Sequence, residues 1–283
     1  MKRILITGVD SYIGTSVADW LARDPGKYRV DTVDMRDDAW REKDFTGYDV
    51  IFHVAGLAHI SSDPGKEELY YRVNRDLAIQ TAVKAKDEGV KQFIFMSSII
   101  VYGAVKGGVI DENTVPLPGN FYGNSKLQAE KGLKDLESDS FKVTILRPPM
   151  IYGKGSKGNY PKLSKAAQKM PLFPDLDNRR SMLHIDNLCA FIKALIDHEE
   201  GGLFFPQNRE YVKTSEMARL IAEAYGKKLR LTGLFNPLLK LMRRRVGIVE
   251  KVFGNLVYEQ SMSEYRVNYR IRNLRESIEL TER

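Results

Sequence analysis

Along the first half of the chain, short and almost wholly apolar runs alternate with longer stretches in which apolar residues recur every three or four positions. The runs predict strands over residues 3–7, 29–33, 50–54, 92–97 and 142–146. Several are apolar at nearly every position, as befits strands covered on both faces of a parallel sheet. Between them the spacing predicts helices over 15–23, 69–87 and 125–136. Strand and helix in regular alternation predict an α/β fold with a doubly wound parallel sheet and right-handed crossovers. Beyond Arg147-Pro148-Pro149 the texture changes. A Gly/Lys-rich loop, Gly153-Lys154-Gly155-Ser156-Lys157-Gly158, precedes short helices over 186–197 and 214–225, Pro-punctuated loops and a charged closing helix over 265–283. A junction is expected near residue 150, separating a sheet domain (1–150) from a smaller mixed α/β subdomain (151–283) within one compact fold.

Composition narrows the class. With 283 residues, 43% hydrophobic and 29% charged, the chain is that of a folded globular protein and not a disordered one. A single cysteine, Cys189, rules out an intramolecular disulfide and fits a reducing compartment; its neighbours Leu188 and Phe191 make it a core thiol. The apolar run after Met1 is too short for a secretory leader and no stretch reaches the length of a membrane span, so a soluble cytoplasmic protein is expected. Of the net charge of +7, none lies in the first half: residues 1–150 carry 20 Lys and Arg against 22 Asp and Glu, residues 151–283 carry 24 against 15. A basic half suits nucleic acid, a membrane surface or a small anionic ligand, and charge alone does not choose. Nucleic acid is disfavoured because aromatic residues do not interleave with the basic ones. Residues 234–252, with Leu238-Leu239-Lys240-Leu241-Met242-Arg243-Arg244-Arg245, read as a helix with a solvated basic edge, and peripheral association with the inner face of a membrane is the alternative. His53 and His59 have no acidic or cysteine partner at ligand spacing, so no metal site is expected.

Two places carry candidate chemistry. Thr7-Gly8-Val9-Asp10-Ser11-Tyr12-Ile13-Gly14 follows the first strand and opens the first helix. Gly8 permits a tight turn, Gly14 permits close helix–strand packing, and the helix N-terminus offers free N–H groups to a pyrophosphate; Ser11 stands where the usual pattern has its middle glycine. Asp34 ends the next strand, 20 residues beyond Gly14, where a carboxylate bonds the adenosine ribose hydroxyls of NAD. Arg36 would instead meet the 2′-phosphate of NADP, so NAD is preferred and NADP stays open. This marks the first domain as a Rossmann-type dinucleotide-binding unit and the second as the substrate-binding part. Further on, Tyr122-Gly123-Asn124-Ser125-Lys126 opens a helix, putting Tyr122 and Lys126 on one face. There the ammonium can lower the phenol's pKa and orient a nicotinamide ribose, while a serine hydroxyl from a strand end such as Ser97-Ser98 holds the substrate oxygen.

Taken together, these segments resemble the extended short-chain dehydrogenase/reductases of the nucleoside-diphosphate-sugar epimerase/dehydratase family. The resemblance runs through residues 7–14, Asp49-Val50-Ile51-Phe52-His53-Val54-Ala55-Gly56, Val73-Asn74, residues 89–93 and 97–103, Tyr122 to Lys126, residues 147–153 and Arg180-Ser181-Met182-Leu183-His184-Ile185-Asp186, about residues 1–225 in all. Gly153 to Tyr160, Asn178-Arg179-Arg180-Ser181 and Val252-Phe253-Gly254-Asn255-Leu256 further resemble bacterial capsule and O-antigen enzymes that reduce UDP-4-keto-6-deoxy-N-acetylhexosamines at C4.

The resemblance implies that Gly8, Ser11, Tyr12, Ile13 and Gly14 cradle the pyrophosphate, that Asp34 and Arg36 face the adenosine ribose, and that Ala55, Gly56, Leu57, Asn74 and Pro148 line the rest of NAD(H) or NADP(H). It makes Tyr122 the general acid/base at the sugar C4 oxygen, Lys126 its partner and Ser98 the hydroxyl orienting that oxygen. Met150, Asn159 and Arg180 would contact a UDP-sugar, Arg180 at its diphosphate. It also implies a homodimer through the helices around 74–87 and 122–136. Family dehydratases carry Asp-Glu directly after the catalytic Ser or Thr; here Ile99-Ile100 can move no proton, which leaves hydride exchange at one carbon. The expected reaction is reduction of a 4-keto sugar, with UDP-hexose 4-epimerisation on tightly held NAD as the alternative and a non-catalytic NAD(P) sensor or scaffold as a third reading.

Overall fold

The computed structural model describes residues 1–58, 63–234, 236, 237, 239 and 253–283. In chain order the main elements are β1 (Lys2–Thr7), α1 (Tyr12–Leu21), β2 (Tyr28–Val33), β3 (Val50–His53), α2 (Glu67–Tyr71), α3 (Leu77–Asp87), β4 (Gln92–Met96), β5 (Val109–Ile110), α4 (Phe121–Lys134), β6 (Lys142–Leu146), β7 (Met150–Tyr152), α5 (Asn159–Lys169), β8 (Leu172–Pro174), β9 (Met182–His184), α6 (Ile185–His198), β10 (Gly202–Phe204), α7 (Thr214–Ala224), β11 (Arg230–Thr232), β12 (Val257–Tyr258) and α8 (Leu274–Glu282). They fall into two units, Met1–Ala104 with Val115–Pro149 and Leu188–Pro206, and Val105–Thr114 with Met150–Asn187 and Gln207–Arg283. The chain changes unit after Ala104, Thr114, Pro149, Asn187 (within α6) and Pro206, so the expected junction near 150 is one of five, and residues 105–114 and 188–206 fall on the other side of it because their contacts are made across the chain.

The first unit is built on a six-stranded sheet in the order β10-β6-β4-β3-β1-β2, and every pairing is parallel. It is the Rossmann-like α/β sheet with flanking helices. Side chains alternate across it: Leu5, Ile51, Phe93, Phe95, Val143 and Ile145 pack in one core with Ala78, Ala82 and Ala85 of α3 and Ala129 and Leu133 of α4. The small residues on the two helices let their backbones lie close to the aromatic face of β4. After β1 the chain moves outward to β2 and returns on the other side to β3. The crevice between the C-terminal ends of β1 and β3 is therefore the switch point at which such sheets bind ligands.

The second unit holds three two-stranded parallel sheets, β5 with β12, β7 with β9 and β8 with β11. Tyr152, Phe173, Met182, Met217, Ile221 and Ile278 are among its core residues. The Tyr152 hydroxyl shares a hydrogen bond with Ser277 Oγ (2.6 Å) and accepts one from Asn208 Nδ2 (3.1 Å), so α8 is tied to the buried strand β7.

Several expected elements differ in extent. Helix α1 begins at Tyr12 instead of 15 because Ser11 caps it, its hydroxyl accepting from the Gly14 N–H. The helix expected over 69–87 is broken by a π-helical turn, Arg72–Asp76, between α2 and α3. The closing helix expected from 265 spans only α8. Its start is set by a capping box in which Asn273 and Glu276 each accept from the other's N–H. Upstream, the Tyr269 hydroxyl and the Arg270 guanidinium donate to the carbonyls of Gln207 and Ser263, which holds that stretch out of helical geometry. Strands β5 and β7 to β12, two or three residues each, were not anticipated, since such runs are too short to show a period. Among the described residues no helix is long and apolar enough to cross a membrane. The basic stretch expected as a helix over 234–252 lies largely outside the described residues, as does His59. Replacing Asn273 with Ala removes one arm of the box and is expected to lower stability by about 0.5–2 kcal/mol, read from the urea midpoint at unchanged m.

Candidate active site

In the first unit the switch-point crevice is shaped by Gly8 and by the loop after β3. Gly8 has φ +89°, and a Cβ there would lie 3.2 Å from the Ala55 backbone, so the β1 turn presses directly on the β3 loop. Gly14 is buried against Ile6 and Val54. Ser11 has an extended backbone that any residue adopts, so glycine is not needed at that position; its hydroxyl instead occupies one N-terminal amide of α1. Tyr12 and Ile13, both half-buried, form the first turn of α1.

Asn74 is fully buried and joins this crevice to α4. Its Oδ1 accepts from the Leu57 N–H (2.8 Å), while its Nδ2 donates to the Leu57 carbonyl (3.2 Å) and to Ser125 Oγ (3.2 Å). The π-helical turn inserts the extra residue that aims Asn74 inward, a usual place for such a turn. A Cβ on Gly56 would sit 2.9 Å from Asn74 Oδ1 and 3.2 Å from Lys126 Nζ, so the loop passes close to both. An exposed Gly56, a helix N-terminus at Ser11 and an acceptor at the end of β2 are what a dinucleotide needs, and the residues present fit one.

That acceptor, Asp34, is engaged by Arg36, whose Nε lies 3.0 and 2.9 Å from its two oxygens and whose N–H also donates to it. The guanidinium holds the Asp34 carboxyl below the usual carboxylate range. The two residues expected to read the ribose are therefore paired with each other.

Helix α4 starts at a cap, Asn120 Oδ1 accepting from Gly123 N–H (2.8 Å), which fixes Tyr122 in the first turn and Lys126 one turn later. Tyr122 has the Ser98 hydroxyl as a neighbour of its phenol and lies edge-on to Tyr70, the ring centres 6.0 Å apart. Ser98 caps a 3-10 turn, Ile99–Tyr102, through the Ile100 N–H (3.3 Å), and the Pro148 carbonyl accepts from the Ile99 N–H (2.9 Å). Ser98, Tyr122 and Lys126 are thus brought into one cluster, with buried Pro148 pinning the turn beside them.

The electrostatics differ from the sequence-based expectation. Burial pushes the Tyr122 phenol up to about 12, opposed by the neighbouring Ser98 hydroxyl. Burial also pushes the Lys126 ammonium down to about 8, opposed by Glu130. Lys126 Nζ donates to the Met96 carbonyl (2.8 Å) and lies 4.6 Å from the centre of the Phe95 ring, so here it does not lower the Tyr122 pKa. Desolvation of two buried groups outweighs a cation that is aimed at a carbonyl. His53 is wholly buried, its Nδ1 3.0 Å from Thr7 Oγ1, and burial drives its pKa to about 3, so it is neutral.

Residues that sequence reasoning left without a role complete the cluster. Glu130 and Arg147, 2% and 6% exposed at their side chains, form a bidentate pair: Nη2 to Oε2 2.6 Å and Nε to Oε1 3.0 Å. Ser97 Oγ donates to Glu130, and Arg147 Nη1 lies 2.8 Å from the Tyr102 hydroxyl. The signal available in advance was spacing: Glu130 lies four positions past Lys126 and eight past Tyr122, on one helical face.

The three residues expected to contact substrate lie in the second unit. Met150, half-buried on β7, pairs with Met182 of β9. Arg180 bridges Val212 and Leu256 through its backbone, and its Nη1 donates to the Gly254 carbonyl (3.2 Å). Asn159 is exposed at the first position of α5. In the same unit a cavity of about 470 Å³ is lined in part by Asn178, Arg179, Tyr211, Asn255 and Glu259, without Arg180.

Residues 4–205 match the NAD dependent epimerase/dehydratase family. The UDP-glucose 4-epimerase of Vibrio cholerae is 32% identical over 251 residues, covering 80% of this chain and 76% of that protein. The N-acetyl-alpha-D-glucosaminyl-diphospho-ditrans,octacis-undecaprenol 4-epimerase of Escherichia coli O157:H7 is 27% identical over 270 residues, covering 89% and 81%. Among solved structures, UDP-glucuronic acid 4-epimerase from Bacillus cereus in complex with NAD superposes with TM-score 0.72 at 17% identity, covering 98% of this chain and 94% of that one. The chain therefore belongs to the NAD dependent epimerase/dehydratase family, the class that its switch-point crevice and Ser-Tyr-Lys cluster define.

Asp34→Ser would release the Arg36 guanidinium for a 2′-phosphate. The ratio of NADP(H) to NAD(H) affinity is expected to rise by roughly tenfold or more, about 1.4 kcal/mol, in fluorescence titrations of the two reduced cofactors.

Proposed function

We propose that this protein reduces the C4 keto group of a UDP-4-keto-6-deoxy-N-acetylhexosamine, with NAD(H) as the preferred cofactor. The observation that carries the reading is the grouping of Ser98, Tyr122 and Lys126 at the end of β4 and the start of α4, where burial raises the Tyr122 phenol to about 12 and keeps it protonated. Reduction asks for that donor. Epimerisation asks the same group to begin as a base. Ile99 and Ile100, half-buried next to Ser98, add no group that could move a second proton, which argues against dehydration.

Gly8, Ser11, Tyr12, Ile13, Gly14, Asp34, Ala55, Gly56, Leu57 and Asn74 would hold the cofactor, whose reduced nicotinamide supplies a hydride at C4. Ser98 orients the C4 oxygen, and Tyr122 gives it the proton as charge builds there. Lys126, charged below about 8, would leave the Met96 carbonyl to stabilise the phenolate as it forms. Arg180 is proposed to meet the diphosphate, as guanidinium suits paired phosphate oxygens.

UDP-hexose 4-epimerisation is the second reading, favoured by the activities named for the Vibrio cholerae and Escherichia coli relatives. Incubating the protein with NADH and a UDP-4-keto-6-deoxy-N-acetylhexosamine separates the two. Stoichiometric loss of reduced-nicotinamide absorbance is expected; no loss, with interconversion of UDP-glucose and UDP-galactose instead, would overturn the reductase reading. Tyr122→Phe is expected to lower kcat by about 10²–10⁴-fold. The rate of ketone reduction is expected to fall as pH rises through about 8, because Lys126 is charged below that value and neutral above it; a flat profile from pH 6 to 9 would contradict the role given to Lys126.

A further inference from the structure

Three residues of one face of α4 meet three consecutive residues where β4 ends. Tyr122 neighbours Ser98, Lys126 Nζ donates to the Met96 carbonyl, and Glu130 accepts from Ser97 Oγ. Spacing of four along the helix is thereby matched to the strand end, and a slip of α4 would break all three contacts together. Glu130 is itself gripped by Arg147, which follows β6, the sheet neighbour of β4.

The geometry points to Glu130 as a positioning residue for the Tyr122 and Lys126 pair: held by Arg147 and tied to Ser97, its carboxylate fixes α4 against the end of β4 and supplies the counter-charge to the Lys126 ammonium. The groups that face Lys126 are Glu130 from α4, the Met96 carbonyl and the Phe95 ring from β4, neutral His53 from β3, and Asn74 with the Gly56 loop. Of these, Glu130 alone brings a negative charge at neutral pH. Without it, desolvation would drive the ammonium further toward its neutral form, and a neutral lysine cannot stabilise a phenolate.

This inference rests on the proposed role of Lys126, but its test needs no substrate. With lysine carrying 13C at Cε, the resonance missing from Lys126→Met is followed against pH by NMR. The native protein is expected to titrate near pH 8. In Glu130→Gln the midpoint is expected to fall by about one pH unit or more, and in Ser97→Ala, which keeps the carboxylate, to stay in place. Should Glu130→Gln fail to fold because it strands the guanidinium, the double variant Glu130→Gln/Arg147→Met carries neither buried charge and is expected to shift the midpoint in the same direction. A folded Glu130 variant that loses thermal stability yet titrates like the native protein would reduce Glu130 to a packing role and overturn the inference. In the enzyme assay the alkaline limb of kcat/KM is expected to move with the NMR midpoint; a limb that stays while the midpoint moves would also overturn it. A protein that turns over no nucleotide sugar still gives the NMR answer, so failure of the functional reading and of this one are told apart.

Discussion

The buried Arg147 and Glu130 pair is the constraint on which the site depends. Exposed ion pairs contribute little, commonly about 0–1 kcal/mol, because water and salt screen them. This one is enclosed, and both ions have given up hydration that only a complete set of partners restores. Its two parallel N–H donors, the Ser97 hydroxyl and the Tyr102 contact provide that set. Removing either ion would leave the other uncompensated, a cost of about 3–5 kcal/mol. The pair therefore allows one register of α4 on the sheet, and that register puts Tyr122 against Ser98.

The opposite side of the site depends on neutral hydrogen bonds. Asn74 uses its carbonyl and amide to join Leu57 to Ser125, and Ser125 Oγ in turn donates to the Tyr122 carbonyl (2.9 Å). The loop after β3 and the start of α4 are thus held in one frame. Since Gly8 packs directly on Ala55, the β1 turn belongs to that frame as well. A cofactor bound in the crevice would meet rigid backbone on both sides, which reduces the ordering cost of binding.

Much of this was legible in the sequence, for a common reason. Strands β1 to β4 and β6 of the sheet are long and apolar enough to announce themselves, and Tyr122 with Lys126 share a face in any helix that contains both. Gly8, Gly14 and Asp34 follow from local requirements, a tight turn, a close packing contact and an acceptor at a strand end, whereas Ser98 follows from the family resemblance. Less legible were features that depend on partners distant in the chain. Strand β10 is three residues long and exists because β6 lies beside it. The π-helical turn in the middle of an apparently regular helical run is paired with the inward placement of Asn74, and no period betrays it.

The sequence by itself determined the alternation of strand and helix, the glycine turn at the head of the sheet, and the shared helical face of Tyr122 and Lys126, because each is set by neighbours a few residues away. Only the tertiary structure brought Ser98 to them and decided their protonation. The spacing of tyrosine and lysine suggested a phenol lowered by its cation. In the folded chain Lys126 turns to the Met96 carbonyl, burial raises one group and lowers the other, and Glu130 offsets the effect on the lysine. Charge states follow from desolvation and from contacts across the fold, and neither is a property of a local stretch of chain.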